Sequence, residues 1–227
     1  METYTTLIAR ARVRLDESSA HRWSDASLMQ KLYEGAKDVA RKAECNRDTA
    51  TISAVAGTQQ YTMPTDVVRV HRVTYQETGA SEIVPLDYQD FMSMDAIWWT
   101  QQTVAQSTPA LYTMWGAAPN LTLVAYPTPA AAGTFTIYYY SLPVDPNGTG
   151  STNCELPNGW EDCAVDYCVY MALLEDRDPN WQVWKQIYEE HMSDLVLTAQ
   201  RFSDQAGMIV PDSGVGAVPR FIWDESY

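Results

Sequence analysis

Two carboxylate pairs have the spacing that chemistry could use: Asp162 with Asp166, and Glu190 with Asp194. Four residues apart on a helix, such groups stack on one face, where they could share a proton or hold a cation. On a solvated face the same pairs merely repel by about a few tenths of a kcal/mol, and a solvated face is the expectation for both. A hydrolase would have to be built on Asp162 and Asp166, because the chain shows no nucleophile elbow and no Cys–His pairing. Gly148-Thr149-Gly150 and Gly214-Val215-Gly216 lack the strand–helix context of a phosphate-cradling loop. His21, His71 and His191 each stand apart from a second ligand type at metal spacing. Of the four cysteines, Cys45, Cys154, Cys163 and Cys168, the last two are five apart. On a helix that places them about 140° from each other, which suits neither a zinc knuckle nor a redox pair. The expectation is reduced thiols, no metal, no cofactor and no enzyme.

The elements around these residues come in three blocks. Residues 3–16 read as a helix with Leu7, Ile8, Ala11 and Leu15 on one face, and Arg10, Arg12 and Arg14 mostly off it. Ser24 or Asp25 caps a second helix to about residue 45. From residue 49 the pattern turns to strands: 51–55 and 59–63 joined at Ala56-Gly57, then 67–75, 83–86, 110–115, 121–126 and 134–140, divided by Pro, Gly and Asn turns. Asp87 is expected to cap a short helix through residues 92–96. Residues 143–151 have the composition of a linker. Helical periodicity returns with Trp160, Cys163, Ala164, Tyr167, Met171 and Leu174 on one face, then with a helix opened by Asp178-Pro179 and closed by Gly207. The reading is an α+β fold: a four-helix bundle from both chain ends, an inserted antiparallel β-sandwich or open barrel, and an extended C-terminal arm. Its divisions are 1–47, 48–150, 151–206 and 207–227.

Charge and aromatic content point to contact rather than catalysis. The net charge is −14 over 227 residues, against any broad nucleic-acid surface. Residues 1–47 hold nine of the 15 Lys and Arg and seven of the 29 Asp and Glu, a net of +2 that leaves −16 to the rest. That is a solvated face of mixed charge, or a basic helical layer carrying Arg10, Arg12 and Arg14 against an acidic neighbour. No apolar run reaches the roughly 18 residues of a membrane helix, and the first residues lack the pattern of a signal peptide, so the cytoplasm is the expected compartment. Eight Trp and 14 Tyr are the anomaly. Trp98-Trp99 and Tyr138-Tyr139-Tyr140 place rings on both sides of a segment, so at least one ring of each run points away from its own core. Either the helices cover that second face or a partner does. The last residues end in Phe221, Ile222, Trp223 and Tyr227 behind a glycine spacer. Burying one such ring yields roughly 2–3 kcal/mol, enough to dock an arm. A glycan- or peptide-binding module using exposed aromatics is the alternative function.

The order of motifs resembles the adaptor proteins of tailed bacteriophages, the head-to-tail connectors or head-completion proteins, in particular those of short-tailed phages. Trp23-Ser24-Asp25-Ala26-Ser27-Leu28 is similar to that family's entry into its long N-terminal helix. Gly57-Thr58-Gln59-Gln60-Tyr61-Thr62-Met63-Pro64, leading into Val68-Arg69-Val70, resembles its strand block. Pro109-Ala110-Leu111-Tyr112, Leu121-Thr122-Leu123 and Ile137-Tyr138-Tyr139 resemble its later strands, and the closing helices with Glu175-Asp176-Arg177-Asp178 complete the match. The resemblance implies a structural virion protein of the neck, in a ring of twelve copies beneath the portal, extending the DNA channel and giving tail nozzle or tail-fibre proteins a platform. It also implies an arm laid on the portal protein, double-stranded DNA passing without specific binding, and no membrane partner. A negative lumen suits such a conduit.

Overall fold

The computed structural model describes residues 1–17, 22–94 and 106–206, with side chains through residue 199. It is a mixed α+β chain whose helices and strands hold separate hydrophobic cores.

Helix α1 (Tyr4–Arg14) starts where the Thr3 side chain accepts a hydrogen bond from the Thr6 amide at 3.3 Å. Helix α2 (Asp25–Ala43) starts at Ser24, whose side chain accepts from the Ser27 amide at 3.1 Å, and ends on Glu44 in the left-handed region. Helices α3 (Glu161–Glu175) and α4 (Trp181–Ala206) complete the layer. Tyr4 and Leu7 of α1, Leu28 and Leu32 of α2, Val169 of α3 and Met192 of α4 share one core. Helix α3 is its centre, packed against α1, α2 and α4. It therefore buries Val165, Cys168, Val169 and Ala172 beyond the single stripe expected, while Leu174 is exposed. A helix with neighbours on three sides has no wet face from which to read a stripe. Close approach of α2 to α3 requires glycine at 35, where a Cβ would lie 2.9 Å from the Tyr167 Cβ and 3.0 Å from the Ala164 carbonyl oxygen.

The strands are β1 (Arg47–Ala54), β2 (Gln60–Thr62), β3 (Val67–Glu77), β4 (Val84–Tyr88), β5 (Gln106–Ser107), β6 (Leu111–Trp115), β7 (Thr122–Tyr126), β8 (Thr128–Pro129) and β9 (Gly133–Ser141). Seven form one nearly closed sheet in the order β1-β9-β3-β4-β6-β7-β2, and β5 pairs with β8. Side chains from all seven meet in one core that includes Ile52, Tyr61, Val73, Leu86, Tyr112, Leu123 and Phe135. β1 and β2, joined by a short turn, form the two ends of the sheet. One expectation is corrected: the pairing is not wholly antiparallel, because β4 and β6 run parallel, with Asp87 opposite Leu111. The chain between them is long enough to carry β6 back in the same direction, which a tight hairpin cannot do. Asp87 itself lies in β4; the cap of the short helical turn at residues 91–94 is Asp90, whose Oδ1 accepts from the Ser93 amide at 3.1 Å.

The strand segment leaves the helices beside the point where it returns, since the Ser141 amide donates to the Asn46 carbonyl at 2.9 Å. Residues 143–151 continue alongside the N-terminus rather than hanging as a tether. The Thr5 amide donates to the Gly150 carbonyl at 2.9 Å, Tyr4 to Thr152 at 3.0 Å, and Cys154 to Glu2 at 2.8 Å.

Candidate functional site

The carboxylates singled out by spacing meet the arginines of α1. Arg10 pairs with Glu2 at 2.8 Å and with Asp162; Arg14 pairs with Asp162 at 2.6 Å and with Asp166. The second oxygen of Asp166 lies 2.6 Å from His191 Nδ1 on α4. Arg12 turns the other way, to Glu17 at 2.7 Å, Asp25 at 2.6 Å and the Trp23 carbonyl at 2.9 Å. Asp166 is not the solvated carboxylate expected: its side chain is 1% exposed. Central α3 presents it to the seam where α1 and α4 meet. Burial pushes its carboxyl above the usual range, and Arg14 and then His191 pull against that rise. Each of its oxygens is engaged by a different helix, so the arrangement ties α1, α3 and α4 together. Glu190 and Asp194 are exposed.

The thiols offer no nucleophile. All four cysteines are unpaired, and burial holds Cys45, Cys163 and Cys168 at about 12 and Cys154 at about 11. Among the described residues no grouping of His, Cys, Asp and Glu could hold a metal ion.

The tyrosine run lies on β9, between β1 and β3. Tyr139 points into the sheet core, so Tyr138 and Tyr140 point outward. Tyr140 is buried nonetheless, edge-on to His71 with ring centroids 6.3 Å apart and with the Arg69 guanidinium 5.4 Å above it. Tyr138 is 41% exposed. A groove of about 240 Å³ runs over these rings, lined also by Arg47, Asp48, Thr49, His71 and Tyr139. Register explains the setting: Tyr140 lies between Arg47 and Arg69, and Tyr138 between Thr49 and Arg72. Reading the rings alone missed these three arginines, because cross-strand neighbours are not adjacent in sequence.

A second aromatic group went unmarked in the sequence. Trp115 ends β6 with its ring 4.3 Å from that of Phe91, and Tyr88 ends β4 with its ring 5.6 Å from Tyr112. Trp115 is 58% exposed, Tyr88 60% and Met92 76%. The parallel β4–β6 pairing sets Tyr88 opposite Tyr112, while Trp115 meets Phe91 of the helical turn that follows β4. Trp98 and Trp99, and the arm residues Phe221, Ile222, Trp223 and Tyr227, lie outside the described residues. No helix among the described residues is long and apolar enough to cross a membrane.

The described residues thus show internal ion-pair clamps in the helices and exposed rings on the strands. The family model described as SU10 adaptor protein matches residues 2–211. No curated protein matches the chain.

Proposed function

The chain belongs to the SU10 adaptor protein family, and on that premise we propose that it is a neck component of a bacteriophage virion that docks as a ring beneath the portal. The ring lengthens the DNA channel and presents a platform to tail nozzle or tail-fibre proteins. The observation that carries this reading is the family match across both helical blocks and every strand between them. Three features support it. The site with the densest charge is an internal clamp that ties three helices together. The chain is acidic at −14, so a lumen it lines repels phosphates and lets duplex DNA pass. Exposed rings remain on the strand layer, where a subunit or tail partner can cover them.

The arm Phe221, Ile222, Trp223 and Tyr227 is assigned to the portal, with the glycines of residues 214–216 giving it reach. The test is portal binding by the full chain and by a Phe221→Ala, Trp223→Ala, Tyr227→Ala variant. Binding lost with an unchanged melting curve supports the arm. Full binding by the variant overturns it, and no binding by the wild type overturns the portal reading.

A further inference from the structure

Three grooves on this chain share one residue. The groove of about 240 Å³ over Tyr138 and Tyr140, a second of about 500 Å³ beside Asn46 and Ser141, and a third of about 320 Å³ between Trp160 and Ala199 are all lined by Arg47. Together they lead from α4, at Ala199, to the outward face of β1, β9 and β3. On that face Arg47 and Arg69 flank Tyr140, and Arg72 stands beside the exposed ring of Tyr138. Arg69 and Arg72 are the only Lys or Arg residues between positions 48 and 176, so with Arg47 the cations of the strand layer gather here. Asp48 lies opposite Tyr139 and turns with it to the other side of the sheet, where its charge acts on the Tyr139 hydroxyl. Its carboxylate therefore faces away from Tyr138 and Tyr140.

We infer that this arginine face is the resting dock of the chain's own last residues, with Phe221 and Trp223 beside the tyrosines and Asp224 and Glu225 toward Arg47 and Arg72. The chemistry is complementary: residues 221–227 carry rings, two acids and no cation, and the face offers rings between guanidinium groups, which favour both. The reach is sufficient. α4 runs two turns past Ala199 and ends at Ala206, and residues 207–220 then span up to about 45 Å when extended. Retracing those two turns leaves about 35 Å, against about 10 Å across β1, β9 and β3. The tether also decides between occupants, because a linked segment is present at an effective concentration of about millimolar, which a separate partner must match. A small ligand suits the face less well, since the groove over the rings is smaller than the roughly 300–1,000 Å³ of such sites. So does duplex DNA: three arginines, one already paired with Glu44 at 3.0 Å, fall short of the roughly 6–10 phosphate contacts of a binding surface. The same rings are assigned to the portal above, so dock and portal compete for one arm, and docking describes the chain before attachment.

The test follows trypsin cleavage after Arg220 in the full chain, read by mass as release of residues 221–227, against a synthetic peptide of residues 212–227. Docking should slow cleavage in the chain at least about tenfold relative to the peptide. A chain carrying Arg47→Glu and Arg72→Glu, whose cleavage site is unaltered, should be cut at close to the peptide's rate. So should a chain carrying Asp224→Asn and Glu225→Gln, compared with its own peptide. If melting shows that charge reversal disturbs the sheet, Arg47→Gln and Arg72→Gln take its place. A wild type cut as fast as the peptide, or protection that either variant keeps, overturns the inference. Protection that grows with protein concentration also overturns it and assigns the face to the arm of a neighbouring copy. Duplex DNA binding that the arginine variant loses overturns it in favour of nucleic acid. Portal binding is measured separately: a chain that binds no portal can still show the protection, and one that binds it can lack it.

Discussion

Replacing Arg14 with methionine keeps the length of the side chain but leaves Asp166 buried with only His191 beside it. Removing one partner of a buried ion pair costs about 3–5 kcal/mol. The Arg14 side chain is 26% exposed and His191 remains, so the lower end applies, about 3 kcal/mol near neutral pH. The loss depends on pH in a fixed direction. Burial already raises the Asp166 carboxyl above its ordinary value, and Arg14 is the main group pulling it down; without Arg14 it rises further. A carboxyl raised in the folded state contributes stability below its unfolded value and loses it as pH climbs through the folded value. The variant's deficit should therefore be greatest near pH 8 and shrink as the pH falls to about 5. Urea unfolding measures it, with a midpoint about 1 M lower near pH 8. Arg10→Met is the control: its partners Glu2 and Asp162 are largely hydrated, and its loss should cost about 1 kcal/mol or less. A midpoint for Arg14→Met within about 0.3 M of wild type, or an equal shift at both pH values, would refute the clamp.

Gly35→Ala should destabilise by about 1–3 kcal/mol through overpacking, read as a lower urea midpoint, because the new methyl meets Tyr167 and a backbone carbonyl rather than open space. An unchanged midpoint would mean that α2 and α3 are not in close contact there. The thiols of Cys154, Cys163 and Cys168 should resist iodoacetamide at about pH 8 in the native chain and react once urea unfolds it, since burial holds each well above that pH. Fast native labelling, located by peptide mass mapping, would show that the helical core is open.

Local rules made the helix starts and most strands readable. Ser24 caps α2 as its position before an apolar stripe implies; β6 and β7 fall within the expected runs, and β3 and β9 overrun theirs by one or two residues. Properties set by a third element were not readable. The burial of Asp166 depends on α1 and α4 closing over α3, and a four-residue spacing carries no trace of that. Asp87 and Asp90 are equally good caps by residue type; the β4–β6 pairing draws Asp87 into a strand and leaves Asp90 to start the turn. The contact of Tyr88 with Tyr112 likewise depends on a parallel pairing that joins distant segments. Of the tyrosine run, alternation correctly separates Tyr139 from Tyr138, while the near-complete burial of Tyr140 follows from Arg69 and His71 on the neighbouring strand.

The single hydrogen bond between Ser141 and Asn46 sets entrance and exit of the strand layer side by side. The helices meet that layer as they would meet a short turn, through two adjacent chain ends. Strands could be lengthened, trimmed or exchanged wholesale by recombination at this doorway without retuning the helical core. Divergence among molecules built to this plan should accordingly gather in the strands, with the helices changing slowly around a constant threshold.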